Sequence, residues 1–239
     1  LAGNPDVSEC IEISRSQGVA AQLRQALRLW RRYDLAFITR TNDRAHLYGL
    51  VAARKRSALV PAAGPGSSWK RWAAQHWHTP RHDANDVLER LRLIDPWIET
   101  PAALSLTPPA AQPLPAEIEA QLRHPLVVVQ VPSMWRYKQW PVAHYRRVVE
   151  GLLADGVQVV LTGSGSDNDR QLVDQVGDAA AAPALLDVAG RLNLSQVRSL
   201  LEQADAYLGP DTSVTHLAAA VGTPIVTVYG PSLPDVFGP

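Results

Sequence analysis

The stretch Ala204-Asp-Ala-Tyr-Leu-Gly-Pro-Asp-Thr-Ser-Val-Thr-His-Leu-Ala-Ala-Ala-Val-Gly-Thr-Pro-Ile-Val-Thr-Val-Tyr-Gly230 decides the fold. Asp205 to Leu208 reads as a short apolar strand that Gly209-Pro210 breaks. Asp211, Thr212 and Ser213 then stand where a helix begins, and each can cap free backbone amides. Val214 to Val221 is an Ala-rich helix that stops at Gly222. Ile225 to Tyr229 is β-branched and apolar, as a buried parallel strand should be. The open start of such a helix carries about half a positive charge and unpaired amides, which makes it a seat for phosphate. His216 lies one turn in, near the same end.

Outward from this unit the second half repeats the alternation. Leu126 to Val131, Val157 to Leu161 and Leu185 to Val188 read as strands. Val142 to Ala154, Asp167 to Val176 and Leu194 to Gln203 read as helices. Strands alternating with helices of this length predict a parallel sheet covered on both faces. The first half alternates more loosely. Gln17 to Arg32 carries Val19, Leu23, Ala26, Leu27 and Trp30 at helical spacing. Asp34 to Thr39 and Ser57 to Val60 read as strands, and Ala45 to Ala53 as a helix. Asp83 to Leu93 is a helix capped by Asp83, and Ala62 to Ser68 is a small-residue loop. Pro101, Pro108, Pro109, Pro113 and Pro115 exclude regular structure from Thr100 to Pro115, which reads as a linker or bridging loop.

Hydrophobic content of 46% against 19% charged residues suits a globular chain with a substantial core. No apolar run is long enough to cross a bilayer, and no secretory signal is visible. A lone cysteine, Cys10, excludes an internal disulfide and fits a reducing compartment. The charges balance overall but are unevenly placed. Residues 1–81 hold 13 Lys and Arg against 5 Asp and Glu, whereas residues 82–239 hold 10 against 18. A basic front half can steer an anionic partner or an acidic membrane surface; an uneven but solvated surface is the plain alternative. No nucleic-acid partner is expected. The chain opens on Leu1 rather than Met and stops at Pro239 after a turn, so it reads as part of a longer protein.

Three polar loops follow strands of the second half and should line one rim: 132–141, 162–169 and 209–213. In the first, Ser133 can donate to a phosphate oxygen, Lys138 supplies a mobile point charge, Arg136 offers a second cation, and Trp140 packs beneath. Asp167-Asn168-Asp169 admits three readings. They are acids favouring a helix start, a carboxylate on a ribose diol, or a carboxylate pair on Mg²⁺ or Mn²⁺. His76, His78 and His82 could be weighed as zinc ligands, but no Cys or nearby Glu completes the set. Gly163-Ser-Gly165 lacks the third glycine of a dinucleotide fingerprint, and neither a P-loop nor a nucleophile elbow is present.

These residues resemble glycosyltransferase family 9, the heptosyltransferases of lipopolysaccharide core synthesis. Lys138-Gln-Trp-Pro141 is similar to that family's K-x-W-P loop. Val157-Gln-Val-Val-Leu-Thr-Gly163 is similar to its next strand and glycine turn. Asp211-Thr-Ser-Val-Thr-His-Leu-Ala-Ala-Ala220, with Pro224 and Tyr229-Gly-Pro-Ser232, resembles its D-T-G-x-x-H-L-A-A-A block and following turn. In the front half, Asn4-Pro5 before a strand and His82 before a helix fit the same layout.

The resemblance implies an α/β chain with two Rossmann-like domains facing a cleft, the glycosyltransferase B fold, truncated at both ends. Residues 1–108 would form the acceptor-side domain, 109–124 a linker, and 125–239 the nucleotide-sugar-binding domain. It implies an inverting, metal-independent transfer of heptose from ADP-heptose to an anionic glycolipid, without a cofactor. It also implies a cytoplasmic enzyme, peripheral at the inner membrane through its basic half. Carried over, Ser133 and Lys138 would hold the diphosphate, Asp167 the ribose, and Leu192 would border the adenine. Asp211, Thr212 and Ser213 would present the helix start to the phosphates, and His216 would approach the diphosphate or sugar. Ser213 stands where the family has Gly. The family's N-terminal G-D motif, which carries the expected base, is absent, so no base is assigned. A nucleotide-sugar epimerase on a similar scaffold and a non-catalytic nucleotide-sugar-binding protein are the alternatives.

Overall fold

The computed structural model describes residues 4–13, 18–64, 66–81, 83–98, 106–178 and 182–239. The chain divides into two compact units, Ile11–Leu104 and a second formed by Leu1–Cys10 with Ser105–Pro239.

The Ile11–Leu104 unit carries a three-stranded parallel sheet: β1 (Tyr33–Ile38), β2 (Ala53–Leu59) and β3 (His76–His78), in the order β1-β2-β3. Its helices are α1 (Val19–Leu29), α2 (Asp43–Ala52), α3 (Ser67–Ala73) and α4 (Asp86–Leu91). Asn42 starts α2 by accepting a hydrogen bond from the Ala45 amide at 2.9 Å. Three local expectations are corrected. The cap of α4 is Asn85, not Asp83: its Oδ1 accepts from the Val87 and Leu88 amides. The small-residue loop ends at Gly66, whose φ of 83° turns the chain directly into α3 at Ser67. Asn4-Pro5 enters a turn, and no strand follows among the described residues up to 13. The core here is small, with Ile38, Ala58, Val60 and Ala74 at its centre.

The second unit carries five parallel strands: β4 (Leu126–Gln130), β5 (Gln158–Thr162), β6 (Leu185–Asp187), β7 (Ala206–Pro210) and β8 (Ile225–Val228). Their order is β6-β5-β4-β7-β8. The helices are α5 (Ala116–Glu119), α6 (Val142–Ala154), α7 (Asp167–Gly177), α8 (Leu194–Gln203), α9 (Ser213–Val221) and a short α10 (Pro234–Phe237) after the expected end of regular structure. Residues alternate along β4 between two cores, as the pleat requires. Leu126 and Val128 join Leu200, Leu201, Leu217 and Ala218 of α8 and α9 on one face. Val129 joins Tyr145, Val149, Val173 and Val176 of α6 and α7 on the other. The sheet is therefore wound in opposite directions from β4, and its topological switch point lies between β4 and β7.

The described part of the proline-rich segment, 106–115, is packed along α8. Leu114 is buried. Ser199 Oγ donates to the Gln112 carbonyl at 2.6 Å, and Arg198 Nη1 to the Pro109 carbonyl at 2.6 Å. Residues 106–115 thus belong to the second unit. Among the described residues no helix is long and apolar enough to cross a membrane.

Candidate functional site

The strand register brings Gln130, Thr162 and Asp187, with Pro210 and Val228, to the carboxyl edge of the second sheet. At the switch point the edge is built on a buried polar core. Thr162 Oγ1 donates to Gln130 Oε1 at 2.7 Å, Gln130 Nε2 to the Pro132 carbonyl at 3.1 Å, and the Tyr145 hydroxyl to the Gln130 carbonyl at 3.2 Å. Burial raises the Tyr145 phenol well above its ordinary range, so it remains a donor.

Beyond β4 the chain forms a loop whose base is tied by one side chain. Gln139 Oε1 accepts from the Ser133 amide at 2.9 Å, and Gln139 Nε2 donates to the Val131 carbonyl at 2.9 Å. Trp140 packs under it, edge-on to Tyr145 at 4.9 Å between ring centroids. A 3-10 turn over Arg136–Lys138 then carries Lys138 back toward β7. Its ammonium is 2.5 Å from Asp211 Oδ2 and 5.6 Å from the centre of the Phe237 ring. Gly230 permits this approach, because a Cβ there would stand 2.9 Å from the Tyr137 carbonyl oxygen.

On the β7 side a second buried chain fixes the start of α9. Thr215 Oγ1 donates to the Pro210 carbonyl at 2.6 Å, which leaves the Tyr207 hydroxyl, 3.0 Å away, to donate to Thr215. Burial pushes the Tyr207 phenol up to about 12. A side chain at Gly209 would collide with the Tyr207 hydroxyl. Thr212 is the N-cap of α9, yet it makes no side-chain hydrogen bond to the first turn. No side chain caps this start through Thr212, and the first-turn amides stay open. Thr212 is half-buried and Ser213 exposed.

Asp211 immediately precedes the Thr212 N-cap of α9. Its side chain is 7% exposed, with the Lys138 ammonium at Oδ2 and His216 Nε2 at 3.8 Å from Oδ1. Tyr229, just past β8, also senses it. Burial and then the Asp211 charge raise the Tyr229 phenol. Sequence spacing gave no signal for this Lys138–Asp211–His216 cluster, whose first two members are 73 residues apart.

The remaining predicted residues lie along the same edge. Ser166 caps α7 through the Asp169 amide at 3.3 Å, and Asp169 Oδ2 accepts from the Ser164 amide at 3.1 Å. Asp169 therefore serves the helix start, while Asp167 is exposed in the first turn. Gly165 and Gly190 let the loops after β5 and β6 touch: a Cβ on Gly190, at φ 71°, would lie 2.7 Å from Gly165 Cα. Leu192 is half-buried against the core of α8 and α9. In the other unit, the His78 ring lies 2.8 Å from the Glu89 carbonyl, and His82 lies outside the described residues. Among the described residues no three His, Cys, Asp or Glu side chains gather to hold a metal.

An open helix start at a switch point is common to many α/β folds, so the comparison with known proteins decides the family. Glycosyltransferase family 9 (heptosyltransferase) matches residues 23–239. The chain belongs to that family. Lipopolysaccharide heptosyltransferase 3 of Escherichia coli strain K12 is 24% identical over 242 residues, covering 96% of this chain and 70% of that protein. Among solved structures, the glycosyl transferase family 9 protein from Veillonella parvula DSM 2008 superposes with a TM-score of 0.72 at 16% identity, covering 91% of this chain and 63% of that one. The E. coli heptosyltransferase WaaC with ADP-2-deoxy-2-fluoro heptose superposes with a TM-score of 0.69 at 18% identity, covering 90% and 67%. The chain spans 63–70% of the length of these relatives. As in other family 9 glycosyltransferases, its fold is α/β with parallel sheets.

Proposed function

We propose that this family 9 chain binds ADP-heptose at the β4–β7 switch point and serves an inverting, metal-independent transfer of heptose to the anionic core of a lipopolysaccharide precursor. In such a step the acceptor oxygen forms a bond to the anomeric carbon as the bond to the diphosphate oxygen breaks. Positive charge develops on the sugar and negative charge on the leaving ADP. The start of α9 and the Lys138 ammonium supply the countercharge from the protein itself. Ser133 offers a hydroxyl to the same oxygens, and Asp167 and Leu192 lie further along the edge for ribose and adenine. Asp211 Oδ2 is paired with the Lys138 ammonium and its Oδ1 lies 3.8 Å from His216 Nε2, which leaves it poorly placed as a nucleophile and favours a single displacement. Its part is to aim Lys138, and with His216 to balance charge when the anion leaves. The cations of residues 1–81 suit an anionic glycolipid at the cytoplasmic face of the inner membrane.

The observation that carries this reading is Lys138 held at the uncapped end of α9. Thermal-shift titration with ADP, UDP and GDP tests it. ADP at a hundred times its Kd should add about 2.7 kcal/mol of stability, with little from the other two. Lys138→Ala in the complete enzyme should lower turnover roughly ten- to hundredfold, the loss of one charge-assisted contact of about 1.5–3 kcal/mol. Turnover within twofold of the parent refutes the role of Lys138, and loss of activity in a chelator refutes metal independence.

A further inference from the structure

We infer that Trp135 and Tyr137 form a stacking platform for the sugar ring of the nucleotide-linked donor, so that they select the sugar rather than the nucleotide. The inference rests on the diphosphate lying at Lys138. Both rings project from the tip of the β4–α6 loop, 55% and 59% exposed. They are stacked on each other, with centroids 5.9 Å apart and planes 27° from parallel. Their base is rigid. Gln139 ties it to Ser133, Val131 and Trp140, and the Lys138 amide donates to the Trp135 carbonyl at 2.9 Å. Two large rings held together in water on a fixed support are an exposed apolar feature of the kind that marks binding.

Position identifies the ring they meet. A donor with adenine at the end of β6 runs along the sheet edge past β5 to the switch point, between two and three strand spacings or about 12 Å away. The group attached beyond its diphosphate is the sugar, and the loop rising from β4 adjoins that end. The chemistry agrees. Aromatic faces are electron-rich, and the C–H face of a sugar ring is electron-poor, more so as its anomeric carbon gains positive charge.

Equilibrium titration of the full chain with ADP and with ADP-2-deoxy-2-fluoro heptose tests the assignment. Trp135→Ala and Tyr137→Ala should each weaken the sugar nucleotide about tenfold, as loss of one aromatic contact of about 1.4 kcal/mol does, and leave ADP within about twofold. Trp135→Phe should keep most of the affinity. Equal weakening of both ligands overturns the inference, as does no change in either. So does an effect confined to binding of anionic vesicles or to self-association, which would assign the rings to a lipid surface or a second copy. A parent chain that binds neither nucleotide overturns the donor-site reading and this one with it. Intact ADP binding with an unchanged sugar preference overturns this one alone.

Discussion

Replacing Lys138 with alanine should destabilise the second unit even without ligand. The variant leaves the Asp211 carboxylate, 7% exposed, without its 2.5 Å partner. Truncating one member of a buried pair costs about 3–5 kcal/mol. Two features offset part of this: His216 at 3.8 Å, and the start of α9, whose dipole favours an anion by about 1 kcal/mol. A net loss of about 2 kcal/mol follows, or about 4–8 °C in melting temperature for a chain of this size. Asp211→Asn in the Lys138→Ala background removes the stranded charge. The double variant should therefore recover at least about 1 kcal/mol relative to the sum of the single changes. Circular-dichroism melts and urea titrations of the parent, both single variants and the double variant complete the cycle. Strict additivity, or a single Lys138→Ala change within about 0.5 kcal/mol of the parent, would show that the two groups do not support each other.

Two further outcomes are expected. Gly190→Ala should cost about 2–3 kcal/mol, since its φ of 71° is left-handed and the new Cβ would meet Gly165 Cα at 2.7 Å; an unchanged urea midpoint would contradict that packing. Burial lowers the pKa of both His46 and His78 from 6.5, so the folded Ile11–Leu104 unit holds them neutral while the unfolded chain protonates them. The stability they lend is complete above pH 6.5 and drains as pH falls below it, so melting temperature should drop between pH 7.5 and 5.5; a flat or rising profile opposes this sign.

Much of the second unit was legible because its punctuation is strong. Val142–Ala154 follows Pro141 and runs into Gly156, and Leu194–Gln203 starts at Asn193, which forms a capping box with Gln196. Both helices stand where the periodicity put them. The Ile11–Leu104 unit was harder, because α3 is a single short run with little apolar period and β3 is three residues long with two histidines. Their identity comes from pairing with β2 and packing on α2, which a local reading does not contain. The candidate site divides the same way. The open helix start is written in Gly209 to Ser213. The ion pair from Lys138 to Asp211, the influence of Asp211 on Tyr229 and the place of Phe237 depend on strands brought together by winding.

The buried relay from Tyr207 through Thr215 to the Pro210 carbonyl has a consequence for how a ligand arrives. It bolts the end of the strand to the first turn of the helix, which opposes rotation of the helix about its own axis. An anion bound there as proposed would meet amides that are already aimed, and its docking would cost little configurational freedom of the host. Capture at this edge should therefore be governed by encounter rather than by rearrangement of the seat.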